Sequence, residues 1–295
     1  MEYNNKVKSQ KSKVKNIILL IVFISIFIYL FIKSVKSSIF LRNKEKVNVV
    51  FYGQSSFFYS FDRGGDTNYI IKLSSDLKSL IPGGYGFYRL GSLGKLVSLE
   101  KDPELFQKTF SVATSSIVDF YFYPKDLAVY YDNKDKNGNF PSISNILFYK
   151  SNANWIDKFF LYFLFSDRNL NHYKTIDSSN YDDTLSLGKN IQGTLYKRIY
   201  RKVGDNIQII YQENYRAAVL IGTIIDGEGI RVVDISQNDE KHNRCLLISN
   251  KKERLSEPII KDLQSFFHCQ SKVGDTESSD IIFKLGNLEK DWSAN

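Results

Sequence analysis

The alternation of apolar and polar positions is interrupted near the start of the chain by one long apolar block. Lys15-Asn16 precede an unbroken run from Ile17 to Ile32 that holds seven Ile, three Leu, three Phe, one Val, one Tyr and a single Ser25, and Lys33 closes it. A bilayer core about 30 Å thick needs about 20 apolar residues in a helix, and Asn16 with the stems of Lys15 and Lys33 can extend the run toward that length. The Ser25 hydroxyl can bond back into its own helix. With no polar face, and with a Lys-rich tail in front of it, the run is expected to be a membrane span rather than a core helix.

The tail carries Lys6, Lys8, Lys11, Lys13 and Lys15 against Glu2, and basic residues (Lys33, Lys36, Arg42, Lys44, Lys46) also follow the span. A long folded domain translocates largely regardless of charge, and a short basic N-terminus then stays inside. Ser34-Val35-Lys36-Ser37-Ser38 is a poor cleavage site, so the expectation is a permanent signal anchor with the bulk of the chain extracytoplasmic. The divisions expected are a cytoplasmic tail at 1–16, an anchor at 17–32, a stalk at 33–46, and two folded units at 47–215 and 216–295. In the stalk, Ile39-Phe40-Leu41 is a patch suited to the headgroup layer.

Beyond the stalk, Val47 to Tyr52 is an apolar run ended by Gly53, which predicts a buried strand. Gln54 to Asp66 is expected to be a loop, followed by strands at Asn68–Leu73 and Leu77–Ile81 and a sharp Pro82-Gly83-Gly84-Tyr85-Gly86 turn. Asp102-Pro103-Glu104 starts a helix, with Asp as cap, Pro at the first turn and Glu beside the helix dipole. That helix should bury Leu105, Phe106, Phe110, Ala113 and Ile117. A strand follows at Asp119–Tyr123, stopped by Pro124. Trp155 to Phe165 predicts an apolar helix too short to span a membrane and therefore placed in the core. Residues 166–190 are expected to be irregular. Ile207–Tyr211 and Ala217–Ile225 predict strands, as do Ile230–Ile235, Cys245–Ile248 and Ile281–Leu285. Asn238 to Asn243 and Lys272 to Ser279 predict polar loops, and Glu257-Pro258 opens a helix whose apolar face holds Ile259, Ile260, Leu263, Phe266 and Phe267. Strands alternating with helices predict a mixed α/β fold.

Composition changes this picture little. Apolar content of 43% and aromatic content of 15% supply ample core material. The net charge of +8 falls to +4 when residues 1–16, with five Lys and one Glu, are set aside. Charge so dispersed fits anionic lipid or glycopolymer and excludes nucleic acid. Cys245 and Cys269 are compatible with one disulfide in an oxidising compartment or with two buried thiols.

Candidate chemistry is sparse. Gly91-Ser92-Leu93-Gly94-Lys95-Leu96 has Arg89 where a phosphate loop needs its first Gly, and Gly84-Tyr85-Gly86 runs to Arg89 where a dinucleotide loop needs its third. Asn133 to Gly138 has the rhythm of a calcium loop, but Ser144 stands where the bidentate Glu belongs. His172, His242 and His268 show no zinc spacing. His268 and Cys269 are adjacent, so on a helix they would point about 100° apart, too far for a nucleophile pair. A stripe of Lys197, Arg198, Arg201 and Lys202 reads as a solvated face, or as a holder of phosphate or pyrophosphate.

Several segments resemble the LytR-CpsA-Psr family. These are the strand from Val47, the loop with Asp66-Thr67 before Asn68–Leu73, Leu80-Ile81-Pro82, Tyr88 to Leu96, the following helix and Asp119-Phe120-Tyr121. The Ile230–Ile235 strand, the helix to Phe267 and Asp280-Ile281-Ile282-Phe283-Lys284-Leu285-Gly286 resemble the LytR C-terminal domain. The resemblance implies an extracytoplasmic α/β domain behind a single span. It also implies transfer of glycopolymers from undecaprenyl pyrophosphate to peptidoglycan, with acidic residues on Mg2+ and arginines on the pyrophosphate. Here Asp66 takes the acidic, metal-binding position, Arg63 lies just ahead of it, Gly83-Gly84 replaces an Arg-Asp pair, and Arg89 is the nearby substitute. A chain lacking those cations is expected to bind envelope polymer, or an envelope partner, on a scaffold that has lost catalysis. The alternative is an active phosphotransferase using Asp66, Arg63 and Arg89, and a third is an adhesion module without ligand.

Overall fold

The computed structural model describes residues 2–42, 45–64, 67–131, 139–166, 168–238, 243–276 and 278–294, with side chains from Ile18 onward. The first helix, α1 (Glu2–Ser37), contains the apolar block. Its segment Ile18–Ser37 is 20 residues long with a mean hydropathy of 2.7, and none of it is buried against the rest of the protein. At 1.5 Å per residue that length matches a bilayer core, so the helix is long and apolar enough to cross one. The stalk differs from expectation. The helix runs on to Ser37, and Ser38 and Phe40 are then buried, Phe40 stacking on Phe120. Phe40 of the expected headgroup patch is therefore a core residue.

The folded part is mixed α/β. Strands β1 (Lys46–Phe51), β2 (Ser56–Asp62) and β3 (Asn68–Leu73) form an antiparallel meander. The presence of β2 corrects the loop expected at Gln54–Asp66. Phe57, Phe58, Tyr59 and Phe61 are buried, because this central strand is covered on both faces and has no polar side to show. A small hairpin of β4 (Lys78–Ile81) and β5 (Gly86–Arg89) follows. Next come α2 (Leu93–Glu100), α3 (Glu104–Thr114) and β6 (Phe120–Tyr123), the last parallel to β1. Helix α3 starts one residue later than expected, with Pro103 rather than Asp102 at the cap position, and Asp102 Oδ1 accepts from the Glu104 N–H at 2.9 Å from just ahead of it. The helix ends at Thr114, so Ile117 is buried beyond it rather than on it.

After residues 132–138, which hold the calcium-like loop and lie outside the described residues, come α4 (Ile143–Phe148), β7 (Lys150–Ser151), α5 (Trp155–Leu164) and β8 (Tyr173–Asp177). Together they complete a six-stranded sheet in the order β7-β6-β1-β2-β3-β8. The stretch expected to be irregular holds β8 and α6 (Thr184–Ile191). The first is an edge strand with polar Lys174 and Asp177 exposed, and the second is capped by Asp183, which accepts from the Ser186 N–H at 2.7 Å.

A second sheet has the order β10-β9-β13-β11-β12. Ahead of it lies α7 (Arg198–Val203), and then come β9 (Asn206–Tyr211), α8 (Tyr215–Gly227), β10 (Arg231–Gln237), β11 (Leu246–Ser249), α9 (Pro258–Phe267), β12 (Gln270–Val273), β13 (Ile281–Lys284) and α10 (Leu288–Asp291). This sheet begins with β9, upstream of the border expected at 216. Helix α8 replaces the strand expected at Ala217–Ile225. Asn214 caps it by accepting from the Ala217 N–H, and Ala217, Ala218, Leu220, Ile221, Ile224 and Ile225 are buried at helical spacing. Pro258 opens α9 as its first residue, where the missing N–H costs nothing. β12 occupies the start of the loop expected at Lys272–Ser279, and residues 239–242 of the other expected loop lie outside the described residues. Cys245 and Cys269 are bonded, with Cα atoms 4.8 Å apart, and tie the start of β11 to the start of β12.

Candidate functional site

Arg63 and Arg89 do not meet. Arg63 follows β2, beside the start of β3, and its Nη1 donates to the Phe40 carbonyl at 2.8 Å. Arg89 ends β5, and its Nη1 lies 3.4 Å from Asp76 Oδ1 in an exposed pair just past the end of β3. The two arginines thus stand at opposite ends of β3, and six residues of strand span about 20 Å. Asp66 lies outside the described residues. Among the described residues no group of three or more His, Cys, Asp or Glu could hold a metal ion. His268 is exposed and its neighbour Cys269 is bonded to Cys245, which leaves no thiol for a His-Cys pair.

The basic stripe divides in two. Lys197 is 1% exposed, which corrects the reading of a uniformly solvated face. Its Nζ lies 2.6 Å from Glu228 Oε2 and 3.3 Å from Asp262 Oδ2, and the Tyr200 hydroxyl donates to the same Asp262 oxygen. Burial alone would lower the Lys197 ammonium, but Glu228 and the groups around it raise it well above the ordinary lysine value. Burial likewise pushes the Tyr200 phenol well up, so it remains a donor. Glu228 Oε1 accepts from the Ser116 hydroxyl and the Ile117 N–H, both at 2.6 Å, and Asn48 Nδ2 donates to Ser116 at 2.8 Å. This chain of contacts runs from β1 to α9 and joins the two sheets through charge. Its charged groups are buried and matched by counter-charges, so they form a joint rather than a site.

Arg198 pairs with Glu45, its Nε donating to Oε1 at 2.9 Å, and the Ile199 N–H donates to Oε2 at 2.8 Å. Partial burial would raise Glu45, but those donors hold it below the usual carboxylate range. Arg201 and Lys202 are exposed.

Arg201 opens onto a groove of about 590 Å³ with Lys189 at the end of α6 and Arg231 at the start of β10. The Arg201 guanidinium lies 3.7 Å from the centroid of the Tyr196 ring, a stacking contact that holds its fork in place. Two carboxylates also line the groove, and both are engaged. Gln192 Nε2 donates to Asp226 at 2.8 Å, and Arg254 lies 3.2 Å from Asp205. Among the described residues none of the three groove cations has a carboxylate at ion-pair distance. The backbone makes this arrangement possible at Gly229 (φ 98°), which turns the chain from α8 into β10. A Cβ there would sit 3.3 Å from Arg201 Cγ and would strain a left-handed conformation. Of the stripe only Arg201 reaches this groove. Lys189 and Arg231 were not legible as its partners, because they come from separate elements with no shared motif.

A second cleft, of about 480 Å³, lies at the β1–β2 turn between Gly53, Gln54, Ser55, Asn139 and Asn145, with Arg168 as the one cation among the described residues that line it. Neither cleft is lined by Arg63 or Arg89.

No protein-family model matches the chain, and no curated protein matches it. Among solved structures it is similar to "Crystal structure of B. subtilis TagT", at 19% identity and a TM-score of 0.23, over 28% of this chain and 33% of that one. It is also similar to "TagT bound to LIIa-WTA", at 17% identity and a TM-score of 0.23, over 28% and 32%. The matches thus span about a third of the length of TagT. TagT is an enzyme of the LytR-CpsA-Psr family.

Proposed function

We propose that this chain is a membrane-anchored envelope protein that binds an anionic polymer through the groove of Lys189, Arg201 and Arg231. The basic tail would lie in the cytoplasm and the folded part on the outer side, close to the lipid. The observation that carries this is the meeting of three cations, from three elements, around carboxylates that are already engaged. Such a groove offers a phosphate-rich or carboxylate-rich chain two guanidinium forks and one point charge. Binding of this kind draws the polymer in by its field and weakens with salt. The transferase alternative would need Arg63 and Arg89 on one substrate, and their separation along β3 argues against it.

The test uses the full chain in nanodiscs, titrated with a poly(glycerol phosphate) probe. Binding should fall steeply with salt, and the Arg201→Ala/Arg231→Ala double variant should bind about tenfold or more weakly, a loss of about 1.4 kcal/mol or more. Equal affinity of the double variant would refute the assignment.

A further inference from the structure

Helix α5 was expected in the core, yet it is buried on one side only. Ile156, Asp157 and Leu161 face inward. Trp155, Phe159 and Phe163 are 56%, 56% and 53% exposed, and Tyr162 is 37% exposed. These four fall at i, i+4, i+7 and i+8, so they form one stripe. A run of large aromatics on the outside of a folded unit marks a contact surface rather than a chance exposure. Helix α4 packs beside α5 and adds exposed Leu147 and Phe148, while Lys158 Nζ donates to the Leu147 carbonyl at 3.3 Å.

The surroundings of α5 identify what covers it. The start of the helix is fastened to the end of α1. Trp155 lies 5.8 Å, ring to ring, from Phe31, and its Nε1 donates to Ser34 Oγ at 2.9 Å. Asn154 Nδ2 donates to the Ser34 carbonyl at 3.1 Å and to Ser37 Oγ at 3.0 Å. Asp157 holds the chain just beyond, its Oδ1 accepting from the Ser38 hydroxyl at 2.6 Å and from the Phe40 N–H at 3.3 Å. Phe31 belongs to the last turn of the apolar run that Lys33 closes, so on the anchor reading, with Ile17–Ile32 in the hydrocarbon, Trp155 is level with the boundary where hydrocarbon gives way to headgroups. Trp and Tyr favour that boundary, and the exposed Lys33 and Lys36 beside it suit anionic headgroups.

We propose that the aromatic face of α5 lies in the outer layer of the same bilayer that α1 spans, as an interfacial helix. It would then fix the folded part against the membrane instead of leaving it free on a tether. A helix of this length reaches about 15 Å from the α1 exit, enough to set the tilt of the domain. The proposal rests on the anchor reading of α1 and is independent of what the groove binds.

The experiment uses tryptophan fluorescence of the full chain in phosphatidylcholine–phosphatidylglycerol nanodiscs, with and without lipids brominated near the headgroup. Trp292 is buried, so Trp155→Phe leaves an internal baseline that bromine should not quench. Incorporation of the chain into the discs tests the anchor separately. The wild type reports on the near end of α5, and Trp155→Phe/Phe163→Trp reports on the far end. Both should be quenched by brominated lipid, and both should be shielded from aqueous acrylamide. Quenching of the wild type alone would overturn the proposal, because α5 would then point away from the bilayer. A far-end probe shielded from acrylamide but untouched by bromine would also overturn it, in favour of a protein partner on this face. Phe159→Ser/Phe163→Ser alters exposed positions only, so it should leave the circular dichroism unchanged while raising acrylamide access to Trp155. Unchanged access would count against the interfacial placement.

Discussion

Lys197 and Arg201 stand about one helical turn apart, yet they belong to different kinds of region. Lys197 is enclosed with Glu228, Asp262 and Tyr200, where each charge has its counter-charge and the two sheets are joined. Arg201 stacks on Tyr196 and faces an open groove with Lys189 and Arg231. The difference shows that a basic stripe is not one functional unit. A buried cation matched by carboxylates is committed to architecture, whereas an exposed one braced by an aromatic ring is available to a ligand.

The comparison breaks first at the joint. Glu228→Ala would remove the nearer counter-charge of the Lys197 ammonium and strand two donors, the Ser116 hydroxyl and the Ile117 N–H, and breaking a buried pair by removing one partner costs about 3–5 kcal/mol. The loss should appear as a lower midpoint in denaturant unfolding, with little change in a Glu228→Ala preparation's affinity per folded molecule at the groove. A smaller effect is expected from Gly227→Ala. A Cβ there would collide with the Ser115 carbonyl oxygen, so α8 must shift away from the end of α3. Overpacking of that kind costs about 1–3 kcal/mol.

Acid should separate the regions more gently. Partial burial would raise Asp280, but the Asn206 N–H and Arg254 hold its carboxyl below the usual value, and Glu45 is depressed in the same sense. For such groups the folded form binds protons less readily than the unfolded one. Their contribution is therefore present above about pH 4 and is lost as the pH falls through each depressed folded value. A Glu45→Gln/Asp280→Asn variant should show a shallower loss of stability below about pH 4 than the wild type, measured by denaturant titration at several pH values. The smallest effect on stability is expected in the groove itself. Arg201→Ala/Arg231→Ala should change the unfolding midpoint by less than about 0.5 kcal/mol, since exposed substitutions away from special features rarely do more.

Legibility in the sequence follows the range of the interactions. The apolar block, the helix start at Asp102-Pro103-Glu104, Pro258 at the start of α9 and the strands β1, β3 and β13 are all readable, because each is encoded within a few residues. β2 was missed since its aromatic run lacks alternation, being buried on both faces. α8 reads as a strand because a nine-residue apolar run has no period to betray a helix, and only the distant packing decides. The burial of Lys197 could not be read locally, as Asp262 lies 65 residues away in the chain. α5 was correctly expected as a helix but not as an exposed one, because its covered and open stripes are both apolar. The groove was legible only at Arg201, and the separation of Arg63 from Arg89 required the pairing of β2 with β3.

The most direct test of the account is the affinity of the nanodisc-held full chain for poly(glycerol phosphate), measured for the wild type and for Arg201→Ala/Arg231→Ala at the same salt. The account predicts about a tenfold or greater loss in the double variant, with the unfolding midpoint preserved. Undiminished binding in a folded double variant would contradict it.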